Sequence, residues 1–177
     1  MDKYSIITVP DPVLKQVAKP VDRVDEAVRA QMDRMLKTMY EAPGIGLAAN
    51  QVNLLNRVLV MDIAQREEPE TRKPIVMANP EIIWASEEPS VWEEGCLSIP
   101  GQYADVERPL EVRVRYLDYD NKIQEAVFEG LGSHCVQHEI DHLNGVLFID
   151  HLSSLKRNML LKRYRKQQKE NEEAAEL

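Results

Sequence analysis

The spacing that most constrains this chain is His138-Glu139-Ile140-Asp141-His142. Residues four apart on a helix share one face about one turn apart, so a helix here lets both imidazoles grip one metal ion. A helix is therefore expected from about Gly132 to Leu143. Glu139, beside the first histidine, can reach a water held by that ion. A metal lowers the pKa of such a water towards neutrality, and a carboxylate can take the proton. With four histidines in the whole chain, chance spacing is the weaker account.

A catalytic metal of this kind normally takes three protein ligands. The common continuation HExxHxxGxxH is kept at Gly145 but fails at position 148, which is Phe148. The first glutamate after His142 is Glu170, in the charged tail, and Asp150 and His151 have no supporting pattern. Upstream stand two cysteines, Cys96 and Cys135, at most one disulfide and in a reducing compartment two free thiols. Cys135 shares the histidine face, but it is separated from His142 by roughly 10 Å of helix rise, too far for one straight helix to deliver all three side chains. It reads as a small buried residue near the site. Cys96 lies in Glu94-Gly95-Cys96-Leu97-Ser98-Ile99-Pro100-Gly101. A glycine before it permits close backbone approach, and Pro-Gly turns the chain just after. Cys96 is the better third ligand.

Gly44-Ile45-Gly46-Leu47-Ala48-Ala49-Asn50-Gln51 crowds small residues without an amphipathic pattern. It reads as a loop that lets a ligand approach the backbone, or as a tight turn between helix and strand. Gln51 offers an amide donor to a developing oxyanion. The segment lacks the Gly-Lys-Ser/Thr ending of a phosphate loop.

Around these segments the pattern is α+β. Residues 1–23 carry Pro10, Pro12 and Pro20 and read as an extended, turn-rich lead-in. Val28, Met32, Met35, Leu36 and Met39 predict a helix over Asp25–Glu41, stopped by Pro43-Gly44. Strands are expected over Arg57–Ile63, Pro74–Ala78, Ile82–Ser86 and Glu111–Leu117, the last turning at 118–121 into a partner over Lys122–Phe128. Residues 65–74 read as an exposed loop. A final helix is expected over Ser153–Glu170, capped by Ser153 or Ser154, with Leu155, Met159, Leu160 and Tyr164 as its apolar stripe.

At 177 residues the chain suits one domain, with 44% apolar and 29% charged residues. We take 1–152 as the catalytic body and 153–177 as a helix and acidic tail of the same domain. No apolar run is long enough to cross a bilayer, and the amino terminus does not resemble a secretory signal, so the expectation is cytoplasmic with no membrane partner. A net charge of −8 argues against broad nucleic-acid binding.

Taken together and in this order, GIGLAANQ (44–51), EGCLS (94–98) and QHEIDHLNG (137–145) resemble the three motifs of the peptide deformylase family. The resemblance covers nearly the whole chain and points to the shorter bacterial form with a carboxy-terminal helix. It implies an α+β fold, with mixed or antiparallel sheets packed around a central helix bearing HExxH. The activity implied is hydrolytic removal of formyl from the formyl-methionine of new polypeptides. By motif, Cys96, His138 and His142 would bind one divalent ion. Family behaviour implies Fe²⁺ in the cell, while Zn²⁺, Ni²⁺ or Co²⁺ would also suit the donors.

Glu139 would be general base and acid, and Gln51 with the Leu97 N–H would bind the formyl oxygen. The 44–46 backbone, including Gly46, would pair with the extended peptide, with Gly95 also at the substrate. Ile45, Leu131 and their neighbours, among them Cys135, would line a methionine pocket that Glu94 supports. His134 departs from the family, whose members often carry an aliphatic residue facing that pocket. Gly132-Ser133 makes a weak helix start. The resemblance also implies that the basic helix of Lys156, Arg157, Lys162, Arg163, Arg165, Lys166 and Lys169 docks on the ribosome. Two rival readings remain: an HExxH endopeptidase, and a structural Cys₂His₂ module with Cys135 as fourth ligand.

Overall fold

The computed structural model describes residues 1–64 and 70–176. The first helix, α1 (Glu26–Glu41), begins where Asp25 accepts a hydrogen bond from the Val28 N–H at 2.9 Å. Its buried face is Val28, Met32, Met35 and Met39, as the periodicity predicts. Each fully buried methionine contributes about 2 kcal/mol of transfer free energy. The helix packs on β1 (Gly46–Ala48) and β2 (Val58–Met61). A 3₁₀ turn, Ala49–Val52, follows β1, so the glycine-rich segment is partly a strand rather than a loop.

The stretch expected as two strands is one, β3 (Ile75–Ala85), paired with both β2 and the later strand β6 (Glu111–Leu117). Its pairing with β6 slips between Ala78 and Glu81. Asn79, with φ of 49°, takes the left-handed conformation that an asparagine tolerates. That bulge breaks the alternation and makes one strand read as two. Residues 70–74 are exposed, as expected of a loop, and 65–69 lie outside the described residues.

The hairpin β4 (Pro89–Cys96) and β5 (Ile99–Pro109) is missing from the sequence reading. It places Cys96 at its tight end, where Leu97-Ser98 makes the turn. β6 (Glu111–Leu117) and β7 (Ile123–Glu129) form the predicted second hairpin. Five strands make one sheet in the order β1-β2-β3-β6-β7, and β4-β5 make another. Every strand pair is antiparallel, so of the expected mixed or antiparallel sheets the antiparallel kind is found.

Helix α2 (Gly130–Leu143) sits between the two sheets, touching strands of both. Eleven of its fourteen residues are buried, which makes it the central helix of the fold. It starts two residues earlier than expected. The Ser133 hydroxyl donates to the Pro109 carbonyl at 2.9 Å, and Gln137 donates to the same carbonyl and to the Ser133 hydroxyl. These bonds compensate for Gly132-Ser133 as helix formers. The helix ends at Gly145, with φ of 73°, where a Cβ would overlap the Lys15 backbone and sit 2.7 Å from its carbonyl carbon.

The last helix, α3 (Ser154–Ala175), is capped by the Ser153 hydroxyl. Leu160 and Tyr164 are its buried residues, while Leu155 and Met159 are exposed. The apolar stripe is thus half the predicted width. No described helix is long and apolar enough to cross a membrane.

Candidate metal centre and active site

Strand β4 alternates, so Ser90, Trp92, Glu94 and Cys96 lie at every second position. Helix α2 presents His134, His138 and His142 at every fourth. The two rows meet. Ligand atoms of Cys96, His138 and His142 lie within 4.8 Å of one another, and among the described residues they are the one such group. Cys96 comes from the strand and both histidines from the helix, which removes the reach problem raised by Cys135.

The thiol sits among polar groups. Cys96 Sγ lies 3.5 Å from Gln51 Nε2, 3.4 Å from the Ser98 N–H and 3.3 Å from His142 Nε2. Gln51 also donates to the Ser98 hydroxyl at 3.1 Å, while its carbonyl oxygen accepts from the Ala48 N–H. Both ends of that amide are therefore held, and the side chain lines the cleft.

His138 Nδ1 is 2.9 Å from Glu94 Oε1. Glu94, an acceptor when ionised, accepts a hydrogen bond from the protonated Nδ1, which leaves Nε2 as the ligand atom. Burial opposes charge on His138, but Glu139, Cys96 and Glu94 around it hold its pKa well above the ordinary histidine range. The pocket thus favours a positive charge. His142 goes the other way: burial first, then the charge of His138, keeps it neutral, as a ligand must be.

Glu139 is the fourth member. Burial raises its pKa to about 7 against the pull of His138, with Glu94 adding to the rise. Its Oε1 is buried without a hydrogen-bond partner. A cationic ligand would satisfy both the orphaned carboxylate and the negative surroundings of His138, so the residues present fit a divalent ion.

Glu94 anchors the whole. Arg108 forks onto it, Nε to Oε2 at 2.7 Å and Nη2 to Oε1 at 3.0 Å, and reaches Asp141 with Nη1 at 2.8 Å. Burial pushes the Glu94 carboxyl up, but its donors His134, His138 and Arg108 outweigh this and hold it well below the usual carboxylate range.

A cleft of about 330 Å³ opens over the centre. Ile45, Gly46, Glu94, Gly95, Leu97, Leu131, His134 and Cys135 all line it, as expected of the substrate residues, together with Gln51, Cys96, His138 and Glu139. His142 lies behind them, fully buried. Trp92 and Tyr103 also line it and are absent from the sequence reading, as is Arg108. Trp92 was findable as a large apolar residue two places before Glu94 on an alternating strand. Gly46 lies directly against Glu139: a Cβ there would overlap Glu139 Oε2 and lie 2.8 Å from Cδ. Gly46→Ala is expected to displace that carboxylate and cut turnover on the order of 10²-fold, with metal content unchanged; steady-state kinetics beside metal analysis checks it.

A family model for polypeptide deformylase matches residues 3–158. The chain belongs to the peptide deformylase family. Among deformylases, that of Mesorhizobium japonicum is 60% identical over 161 residues, spanning 91% of this chain and 90% of that protein. The crystal structure of the Ehrlichia chaffeensis peptide deformylase superposes with a TM-score of 0.90 at 36% identity, over 96% of this chain and 99% of that one. A Met-Ala-Ser-bound crystal structure of the class I type b peptide deformylase from Acinetobacter baumannii matches with a TM-score of 0.79 at 36% identity, over 85% and 99%. Deformylase membership makes this chain a metal-dependent hydrolase, and the Cys-His-His group fits a single metal ion.

Proposed function

We propose that this site removes the N-formyl group from formyl-methionyl nascent peptides, releasing formate and a free amino terminus. The observation that carries the reading is the convergence of Cys96, His138 and His142 beside a buried carboxylate with a free oxygen, in a peptide-sized cleft. When bound, the ion supplies Lewis-acid polarisation and lowers the pKa of a water. Cys96, His138 and His142 hold it. The donor set of one thiolate and two imidazoles suits Zn²⁺, Fe²⁺, Ni²⁺ or Co²⁺, and the behaviour of the family favours Fe²⁺ as the working ion.

Gln51 and the Leu97 N–H donate to the formyl oxygen as charge develops on it. Glu139 takes the proton of the attacking water and delivers it to the amine nitrogen as the carbon–nitrogen bond breaks. β1 is an edge strand, so Gly46 and its neighbours can pair with an extended peptide through the backbone, without reading its later side chains. Ile45, Leu131, Cys135 and His134 wall the methionine pocket, with Gly95 at its rim. The Acinetobacter structure, which holds Met-Ala-Ser, supports a methionyl tripeptide as the product left behind.

The test is formate release from a formyl-Met tripeptide by anaerobically purified protein reloaded with Fe²⁺, Ni²⁺ or Co²⁺. Metal-dependent turnover is expected; silence with every ion would overturn the reading, and cleavage of unformylated peptides would favour a peptidase. Residues 1–152 form the catalytic body, and α3 belongs to the same domain, working inside the cell as a basic surface for ribosome contact. Salt-dependent ribosome binding by the full chain but not by a chain ending at residue 155 is the expected result, and equal binding would remove that contact.

A further inference from the structure

We propose that His134 and Ser90 form a positioning relay that fixes Glu94, and through it the imidazole of His138. His134 is buried at 2% exposure and lines the cleft, yet both of its nitrogens are engaged in the protein wall. Nδ1 lies 2.9 Å from Glu94 Oε2, and Nε2 lies 2.8 Å from the Ser90 hydroxyl. An ionised carboxylate only accepts, so Nδ1 carries the proton and Nε2 is left to accept from Ser90. The ring is thereby fixed in one tautomer and one orientation, with Trp92 tilted against it at 6.2 Å between ring centroids.

The consequence falls on Glu94. A carboxylate has about four lone-pair sites, and here four donors meet them: Arg108 Nε and Nη2, His138 Nδ1 and His134 Nδ1. Oε2 is shared by Arg108 and His134, and Oε1 by Arg108 and His138. An aliphatic side chain at position 134 would leave one site of a buried carboxylate open and free Glu94 to rotate about the Arg108 fork. His138 would rotate with it, because its Nδ1 has Glu94 as its partner. Ser90 is a half-buried residue on β4, so the relay links the outer part of the hairpin to a metal ligand.

This inference rests on the metal-centre reading, and the experiment separates the two. Co²⁺ affinity by chelator competition, kcat, KM and melting temperature are measured for the wild type, His134→Leu, His134→Asn and His134→Gln. An asparagine amide overlies Nδ1 and keeps the donor to Glu94, whereas the longer glutamine places its amide near Nε2, towards Ser90. Loss of an outer partner of a metal ligand costs on the order of 10-fold in affinity or rate. His134→Leu and His134→Gln are expected to lose about that much in Co²⁺ affinity and kcat with KM held, and His134→Asn to recover most of it. If leucine prevents folding, the contrast between asparagine and glutamine still decides. Equal behaviour of those two, or a change in KM alone with Co²⁺ affinity kept, would overturn the relay and leave His134 as a pocket wall. A wild type that fails to bind Co²⁺ would instead sink the metal-centre reading beneath it.

Discussion

Glu139→Gln is expected to yield a folded protein that keeps its metal and loses deformylation by about 10³-fold, within the usual 10²–10⁴ range for a positioned proton-transfer group. The geometry makes this a clean substitution. Glutamine has the same shape, so the packing of Oε2 against Gly46 is preserved. Glu139 lies outside the Cys96, His138 and His142 group, so ligation is untouched. What disappears is the ability to accept a proton. The melting temperature of the metal-free protein should hold or rise, because there a buried carboxylate oxygen without a hydrogen-bond partner is costly and an amide is less so.

The pH dependence follows with a definite sign. Glu139 works as a base only when ionised, so activity falls as pH drops through its pKa. Burial places that pKa at about 7, and a bound cation beside it pulls it lower. The acid limb of kcat/KM should therefore lie below 7 in the metal-loaded wild type and vanish from the residual activity of the variant. A variant within tenfold of wild-type turnover would remove Glu139 from the proposed chemistry.

What the sequence made legible depended on whether chemistry or periodicity carried the signal. HExxH needs no knowledge of packing, because two histidines four apart on a helix already define a metal edge. The ordered motifs then paired it with Cys96, and the structure brings the three donors together. Helix α1 was readable for the opposite reason, a plain apolar stripe ending at Pro43-Gly44. The β4–β5 hairpin was not. Its inward row on β5 is Gln102, Ala104, Val106 and Arg108, and its inward row on β4 includes Ser90 and Glu94, so half of the buried positions are polar. An alternation of apolar against charged residues cannot reveal a strand whose buried side holds the ion pairs of the site. The same property hid Arg108, since a buried arginine looks in sequence like any solvated one. Helix α3 erred in the other direction: Leu155 and Met159 fit its period but stay exposed, and the apolar residues packed on the body are Leu160, Tyr164 and the partly buried Leu161.

That hidden arginine should carry the largest stability effect in the molecule. Arg108 is 5% exposed and neutralises Glu94 through two bonds while a third reaches Asp141. Arg108→Met fills much of the same volume but leaves Glu94 as a buried charge. Its remaining donors are then His134 and His138 alone, and Asp141 keeps His151 at 2.8 Å. Breaking a buried pair from one side costs about 3–5 kcal/mol, which for a chain of this size is a fall in melting temperature on the order of 10 °C. Part of the attraction that is lost only offset the burial of the two partners. The cost comes from the stranded carboxylate. Arg108→Met combined with Glu94→Gln removes both charges and should therefore be more stable than Arg108→Met alone, although Glu94→Gln keeps one acceptor oxygen of two, so His134 and His138 no longer each have an oxygen to donate to. Arg108→Lys keeps the charge but cannot make the planar fork, and should fall between wild type and methionine. Thermal melts of five proteins decide it: the wild type, Arg108→Met, Arg108→Lys, Glu94→Gln alone and the double variant. Additive losses in the double variant, or a methionine variant melting within 2 °C of wild type, would mean that Glu94 is held by its histidines and that Arg108 is only packed beside it.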